Sequence, residues 1–172
     1  MKKIGFFGGC FNPPTNMHIK IANNLIKQGT LDKVVFVPVN DYYNKDGLIE
    51  AKYRYNMLCL AIKNHPNLEA DDILIKENRK LFAIDAFEII SNKMQGETYY
   101  LIMGSDNYNK MSSWKEYDKI KDRYNYIVVE RDENEISSTI IRNMIKNNDS
   151  DVDKYLPKEV YDYIVENKLY KL

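Results

Sequence analysis

The stretch that decides the fold is GFFGGCFNPPTNMHIK, residues 5–20, in which an apolar run, a glycine pair and two prolines lead into a helical pattern. It matches neither the GxGxxG dinucleotide fingerprint nor the GxxxxGK[ST] phosphate loop. Gly8 and Gly9 lack β-carbons where the run ends, so backbone N–H groups can approach an anion closely. His18 falls in the first turn of the next helix, whose N-terminus favours phosphate. By itself, the stretch fits an ordinary strand-to-helix turn equally well.

Five short runs rich in β-forming residues occur along the chain, at residues 3–8, 33–38, 72–76, 98–104 and 125–131. They are almost continuously apolar, as expected for parallel strands that are covered on both faces. Helical spacing of apolar residues lies between them, at residues 18–28, 53–64 and 82–94. The alternation predicts an α/β fold: a Rossmann-like doubly wound parallel sheet of about five strands with helices on both faces, as a single domain over residues 1–172.

In such a sheet, ligands bind outside the carboxyl ends of the strands, where the strand order reverses. The glycine pair follows the first run, NDYYNK follows the second, GSDN the fourth and EISST the fifth. We therefore expect all four segments to meet at one edge of the sheet.

The segment ISSTIIR, residues 136–142, places hydroxyl side chains at the start of a predicted helix and Arg142 one turn further on. The simplest interpretation is that Ser137, Ser138 and Thr139 cap that helix. The same hydroxyls and the guanidinium can also bind phosphate groups. Two helix N-termini at one cleft would suit a triphosphate.

A third segment, MGSDNYNKMSSW, carries an acidic residue and the single tryptophan of the chain. Asp106 follows the fourth strand and Gly104, a position where a carboxylate can bind ribose hydroxyls. We expect Trp114 to begin the next helix. It is either a packing residue or a flat surface for an aromatic ring.

The chain has no large net charge, because 25 basic residues balance 25 acidic residues, so any anion-binding site must be local. This balance argues against nucleic acid or an anionic membrane as the main partner. Cys10 and Cys59 lie far apart without metal-ligand spacing, and the opening MKKIGFF is too short for a signal peptide. We predict a cytoplasmic protein without a membrane span or a dedicated metal site, and the sequence leaves its oligomeric state open.

Together these segments resemble the nucleotidylyltransferase superfamily, with its GGxFxPxHxGH or TxGH signature and its C-terminal ISSTxIR. Within it, the chain is most similar to the bacterial nicotinate-nucleotide adenylyltransferases. PVNDYYNK keeps the spacing of their PNxxPPHK, and YRYNML matches their HRxxML. The resemblance implies transfer of AMP from ATP, used with Mg²⁺, to nicotinate mononucleotide. The products are nicotinate adenine dinucleotide and pyrophosphate, as a step of NAD biosynthesis.

The resemblance also implies roles for individual residues. The implied catalytic residues are His18, Thr15, Lys45 and Arg142. The implied ATP-binding residues are Gly8, Gly9, Cys10, Phe11, His18, Gly104, Asp106, Ile136, Ser137, Ser138, Thr139 and Arg142. The implied acceptor-binding residues are Ala83, Asp85 and Trp114, with Trp114 stacking on the pyridine ring.

The chain departs from the family pattern at several positions. Met17 replaces a glycine, Cys10 a threonine and Asn12 an aspartate, while Ala83 and Ala86 replace the threonines of the SYTxDT segment. The residues implied to bind ATP, which we call the donor side, therefore match the family pattern more closely than those implied to bind the acceptor, which we call the acceptor side.

Two alternatives remain open from the sequence. The first is pantetheine-phosphate adenylyltransferase or another small-molecule nucleotidylyltransferase, because TN also precedes the final histidine of that motif. The second is a non-catalytic nucleotide-binding regulatory protein, which Met17 and the alanines favour. Intact Thr15, His18, Ser138 and Arg142 argue against the second alternative.

Overall fold

The computed structural model of the chain describes residues 1–130 and 134–171. Its centre is a five-stranded parallel sheet in the order β3-β2-β1-β4-β5. The strands are β1 (Ile4–Gly9), β2 (Lys33–Pro38), β3 (Leu68–Ala70), β4 (Tyr99–Gly104) and β5 (Tyr126–Val129). The strand order reverses between the neighbours β1 and β4, which confirms the predicted doubly wound fold.

Helices connect the strands and follow the last of them. They are α1 (Asn16–Lys27), α2 (Ala51–Ile62), α3 (Ala83–Lys93), α4 (Ser105–Lys110), α5 (Tyr117–Ile120), α6 (Ser138–Lys146) and α7 (Lys158–Glu166). Two 3₁₀ segments, Met111–Ser113 and Ser150–Tyr155, complete the described elements. The three predicted helical patterns fall on α1, α2 and α3. Gly29 and Gly96 follow α1 and α3 with φ of 72° and 82°, a left-handed conformation that helix ends commonly require.

Both faces of the sheet are covered by helices, which explains why the strands are so continuously apolar. Phe7 in β1 packs into a core with α1, α2, α6 and α7, whereas its neighbour Phe6 packs into a second core with α3 and α5. Val34 and Val35 in β2 divide between the two cores in the same way. Because successive side chains point to opposite faces, each strand must be apolar at every position.

The third strand lies earlier than predicted. The prediction of a strand at residues 72–76 is wrong, because these residues lie largely in turns and β3 covers Leu68–Ala70. The Asp71 backbone N–H still donates to Phe36 O at 2.9 Å. Asp71 Oδ1 then accepts from Ile73 N at 3.0 Å, a local bond that turns the chain. The predicted fifth strand also included Arg131, which lies outside the described residues.

The carboxyl ends of the central strands meet at one edge of the sheet, as predicted. Gly9 pairs with Pro38 across β1 and β2, and Gly104 pairs with Val129 across β4 and β5. The loops that follow these residues therefore begin side by side. Within residues 1–130 and 134–171, the helices are too short or too polar to cross a membrane.

Candidate active site

The glycine loop, residues 8–15, connects β1 to α1 at this edge. A β-carbon on Gly9 would lie 3.1 Å from the ring of Phe11, so a larger residue there would crowd this ring. Phe11 has φ of 48° and its buried ring packs edge-on against Phe7 and Phe36. At Gly8 and Gly104 a β-carbon would meet no described atom within 4 Å. Packing therefore does not explain these two glycines. Gly8 is the residue before the end of β1, Gly104 ends the neighbouring strand β4, and both leave open space beside them.

Thr15 and His18 form the start of α1. His18 Nδ1 accepts from the Thr15 backbone N–H at 3.0 Å and lies 3.0 Å from Thr15 Oγ1. A ring nitrogen that accepts a backbone N–H is unprotonated, so the neutral ring carries its hydrogen on Nε2. The ring also packs edge-on against Phe11, with the centroids 5.1 Å apart. Local capping thus holds His18 in the tautomer whose Nε2 is a hydrogen-bond donor.

Asn12 joins the glycine loop to other parts of the chain. Its side chain is 2% exposed. Its Nδ2 donates to Gly47 O at 2.8 Å, and its Oδ1 accepts from Ile49 N at 3.4 Å and from the Tyr170 hydroxyl at 2.8 Å. The side chain at the position where the family has an aspartate therefore holds three segments together.

The start of α6 docks on the same glycine loop. Ser137 Oγ accepts from Ile140 N at 3.3 Å, which confirms the predicted capping by this residue. Ser138 does not cap but donates its hydroxyl to Pro13 O at 3.0 Å. The structure thus brings the first turns of α1 and α6 to one loop.

Arg142 reinforces this junction. Its Nη1 donates to Asn12 O at 2.9 Å and its Nη2 donates to Thr139 Oγ1 at 3.2 Å. Ile136, just before the helix, is half-buried against the first core. The guanidinium, the glycine loop and the hydroxyls of ISSTIIR therefore lie together, and a cation stands where two helix N-termini meet.

Lys45 lies on a neighbouring exposed loop, residues 40–50, which we call the lysine loop. Its backbone carbonyl accepts from Leu48 N at 3.2 Å, so Lys45 begins a tight turn. Gly47 in that turn has φ of 72°, and a β-carbon there would lie 3.5 Å from Arg142 Nε. The bond from Asn12 to Gly47 ties this turn to the glycine loop. The structure thus brings Lys45 to the same side of the site as Arg142.

Arg54 is a site residue that the sequence interpretation missed. Its side chain is 0% exposed, yet Nη1 donates to Cys10 O at 3.0 Å and Nε donates to Ile49 O at 2.8 Å. Its Nη2 lies 3.6 Å from Asp41 Oδ1 and is a buried nitrogen without a hydrogen-bond partner in the described part of the chain. Burial lowers the pKa of this guanidinium, and the Asp41 carboxylate opposes that shift.

A signal for Arg54 exists in the sequence. Ala51, Leu58 and Ala61 form the buried stripe of α2, and Arg54 lies on this stripe at helical spacing. A charged residue on an apolar stripe must bind something polar. Here it binds the carbonyls of Cys10 and Ile49.

On the ribose side, the structure places two predicted residues at the end of β4. Gly104 is the residue before α4, and Asp106 lies in the first turn of that helix with an exposed side chain. Asp106 therefore stands at the ligand edge of the sheet, next to the strand that pairs with β1.

The predicted acceptor residues lie at the start of α3. Asp85 Oδ2 accepts from the Phe82 backbone N–H at 2.8 Å and Oδ1 accepts from Arg79 Nη1 at 3.2 Å. The backbone hydrogen bond from Phe82, helped by Arg79, lowers the pKa of the Asp85 carboxyl. Asp85 thus caps the helix on which Ala83 is the first residue. The carboxylate is therefore engaged locally, by the helix cap and Arg79.

Trp114 does not begin a helix, contrary to the prediction. It follows the 3₁₀ segment Met111–Ser113 and precedes α5, and its backbone N–H donates to Met111 O at 3.0 Å. Its half-buried ring lies 6.3 Å from the ring of Phe87 in α3, measured between centroids. Trp114 therefore packs beside the helix that carries the other predicted acceptor residues.

Two cations border the same region. Lys115 Nζ lies 4.4 Å and Lys80 Nζ 5.3 Å from the centroid of the Phe82 ring, which is 40% exposed. The start of α3 thus lies beside aromatic surface and two lysines, with the carboxylates of Asp85 and Glu116 also close by. Among residues 1–130 and 134–171, no group of three or more His, Cys, Asp or Glu side chains is arranged to hold a metal ion.

Comparison with known proteins places this geometry in a family. The profile of the cytidylyltransferase-like family matches residues 6–144, which include the glycine loop and most of α6. The chain belongs to the cytidylyltransferase-like family. This membership and the named relatives below confirm the resemblance to nucleotidylyltransferases and identify the chain as a nucleotidyltransferase.

Relatives in this family cover the chain from end to end. A probable nicotinate-nucleotide adenylyltransferase of Lactococcus lactis is 32% identical, covering 99% of this chain and 96% of that protein. Nicotinate-nucleotide adenylyltransferase of Bacillus subtilis is 28% identical, covering 99% of this chain and 100% of that protein. The Plasmodium falciparum nicotinic acid mononucleotide adenylyltransferase complexed with NaAD shares the fold, with a TM-score of 0.80 and 20% identity over 99% of this chain and 98% of that one.

Proposed function

We propose that the protein transfers AMP from ATP to nicotinate mononucleotide, giving nicotinate adenine dinucleotide and pyrophosphate in NAD biosynthesis. The observation that carries this proposal is the junction of α1 and α6. Ser138 and Arg142 bond to the carbonyls of Pro13 and Asn12, so two helix N-termini and a guanidinium meet at one glycine loop. Such a junction suits a triphosphate. The names of the Lactococcus and Bacillus relatives support the same activity.

The proposed reaction is a direct in-line attack. An oxygen of the acceptor's 5′-phosphate attacks the α-phosphorus of ATP, the bond to the bridging oxygen breaks, and pyrophosphate leaves. Catalysis of this type comes mainly from positioning and charge stabilisation. In this proposal His18 donates from Nε2 to phosphate oxygens, and the first turn of α1 adds its N–H groups. Arg142 and Lys45 neutralise charge on the departing pyrophosphate.

The remaining donor residues bind ATP in this proposal. Gly8, Gly9 and the backbone of Cys10 and Phe11 hold phosphates. Gly104 and Asp106 bind the adenosine ribose, while residues 136–139 line the adenine and triphosphate. Mg²⁺ enters as the complex with ATP, since it is commonly held by phosphates and water with few protein ligands. Because the reaction consumes ATP, we place it in the cytoplasm.

The contacts that we propose on the acceptor side do not need the threonines of SYTxDT, which this chain lacks. In this proposal the nicotinate carboxylate binds the backbone N–H groups at the start of α3, where Ala83 is the first residue. Lys115 and Lys80, near the ring of Phe82, add positive charge to the same place. Trp114 stacks on the pyridine ring. Binding through backbone groups requires no side-chain hydroxyl at Ala83 or Ala86.

Pyrophosphate release from Mg-ATP tests the proposal. The purified protein is supplied separately with nicotinate mononucleotide, nicotinamide mononucleotide and phosphopantetheine. We expect the highest kcat/KM with nicotinate mononucleotide, because only this acceptor of the two pyridine nucleotides carries the carboxylate. Turnover with phosphopantetheine alone would contradict the proposal and support the first alternative. ATP binding without turnover of any acceptor would support a regulatory protein.

A further inference from the structure

Tyr170 lies near the end of the sequence, in a turn that follows α7. Leu169 N donates to Ile164 O at 3.0 Å, and the Leu169 side chain is buried in the first core. Tyr170 itself has φ of 64°, a left-handed conformation that is uncommon for a bulky residue. Its hydroxyl donates to Asn12 Oδ1 at 2.8 Å, a partly buried contact across 158 positions of sequence.

The direction of this hydrogen bond is fixed by the surroundings. Burial raises the pKa of the Tyr170 hydroxyl, and the charges of Arg142 and Arg54 only partly oppose the shift. The hydroxyl therefore stays protonated. The carbonyl of Gly47 can only accept, so Asn12 presents Nδ2 to it and Oδ1 to the Ile49 N–H and to the Tyr170 hydroxyl, which therefore donates.

Asn12 thereby links Tyr170 by hydrogen bonds to the proposed phosphate-binding groups. Its Nδ2 holds the lysine loop through Gly47 at 2.8 Å. Its own backbone carbonyl accepts from Arg142 Nη1 at 2.9 Å. Asn12 thus connects the C-terminal turn to Arg142 through its backbone carbonyl and to the loop that carries Lys45 through its side-chain amide.

We propose that Tyr170 is a positioning residue for adenylyl transfer. Through Asn12 it fixes the lysine loop and Arg142 relative to the glycine loop, so that the last turn of the chain sets the geometry of the phosphate-binding groups. The inference rests on the proposed function, because it assigns Tyr170 an effect on that reaction. It gives the C-terminal turn a role in catalysis that is distinct from packing the core.

Tyr170→Phe tests the inference because it removes only the hydroxyl. We expect kcat to fall by roughly five- to tenfold, the size expected for one lost buried hydrogen bond, while KM for the acceptor stays unchanged. Tyr163→Phe is the matched control. Its hydroxyl accepts from Asn56 Nδ2 at 3.0 Å, an exposed contact between α7 and α2 that involves neither Asn12 nor Arg142, and its loss should leave kcat unchanged.

Measuring the effect of Tyr170→Phe in the Lys45→Ala variant as well as in the wild type distinguishes a loss of positioning from a general loss of structure. If Tyr170 acts through the lysine loop, Tyr170→Phe should lower kcat by less than about twofold when Lys45→Ala is already present. Rates are compared well below the lower of the melting temperatures, so that every variant is folded. If Tyr170 acts through Arg142, the same reduction of the effect should appear when Arg142→Ala is already present. An unchanged kcat in Tyr170→Phe, a change confined to KM, or an equal fall in the wild-type, Lys45→Ala and Arg142→Ala backgrounds would overturn the inference. A wild-type protein that turns over no acceptor would instead contradict the proposed function.

Discussion

The two sides of the candidate site are built in different ways. On the donor side, buried Asn12 and Arg54 reach other segments of the chain, and Arg142 bonds to the glycine loop across 130 positions of sequence. On the acceptor side, the polar contacts of Asp85 are local, to Phe82 and Arg79. A reaction that depends on positioned phosphates needs the first arrangement. A locally built pocket tolerates substitution more easily, which fits the loss of both threonines there.

Among the substitutions that test this contrast, we expect the largest fall in kcat at His18. His18→Asn keeps a hydrogen-bond acceptor near the position of Nδ1, so the cap on the Thr15 backbone N–H can persist, but it removes Nε2. We expect kcat for pyrophosphate release to fall by about 10²-fold or more, as for loss of a group that stabilises transition-state charge. The melting temperature should change little. Steady-state kinetics and thermal unfolding measure the two quantities on the same preparation.

His18→Ala is the matched comparison, since it removes both the cap and the donor. It should lose the same activity and, in addition, about 1 kcal/mol of unfolding free energy for the lost cap. If His18→Asn kept the wild-type kcat, His18 would be a helix cap and not a catalytic residue.

A smaller and more selective effect is expected at Trp114 on the acceptor side. Trp114→Ala should raise KM for nicotinate mononucleotide by about tenfold, because stacking on an aromatic ring contributes on the order of 1 kcal/mol. KM for ATP should stay unchanged, since the donor side is held by separate contacts. Trp114→Phe keeps an aromatic face and should recover most of the acceptor affinity. Equal changes in both KM values would show that the two sides are not independent.

The sequence predicted the fold because its signals are local. The sheet is covered on both faces, so neighbouring strand residues such as Phe6 and Phe7 are both apolar. Gly29 has the left-handed backbone conformation that is common just after a helix, and it follows α1. The third strand was misplaced because Ile73 and Leu74 are apolar without being in a strand. Leu74 is buried in a turn, and the edge strand β3 has only 3 residues from which to read a pattern.

The candidate site was predictable only in part, for a related reason. The parallel topology places the glycine loop and ISSTIIR at one edge, so motif residues could be assigned to that edge before the structure was known. Arg54 lies in the YRYNML segment and on the apolar stripe of α2, but neither signal identifies the groups it contacts, and no sequence pattern assigned a role to Tyr170. Their importance arises from contacts with Cys10 and Asn12 across 44 and 158 positions of sequence, which no local pattern encodes.

The smallest predicted effect concerns Asp85 and shows whether α3 is stabilised locally. Asp85→Ala should lower the unfolding free energy by about 1 kcal/mol at neutral pH through loss of the cap. In the folded protein the pKa of Asp85 is lowered, chiefly by the hydrogen bond from the Phe82 backbone. The stabilisation is therefore fully present above the ordinary pKa of 3.8 and is lost as the pH falls through the lower, folded pKa. Thermal unfolding of wild type and variant should therefore converge as the pH is lowered below 3.8.

Arg79→Met separates the two partners of that carboxylate. The Arg79 side chain is half exposed, so its ion pair with Asp85 contributes little, whereas the bond from the Phe82 backbone is within the helix cap itself. We expect Arg79→Met to keep most of the difference in unfolding free energy that the wild type shows between neutral and acidic pH. If Arg79→Met removed that difference as completely as Asp85→Ala does, the ion pair would be the main stabilising contact. The start of α3 would then depend on a side chain at the surface, and acceptor binding beside it should weaken as the salt concentration rises.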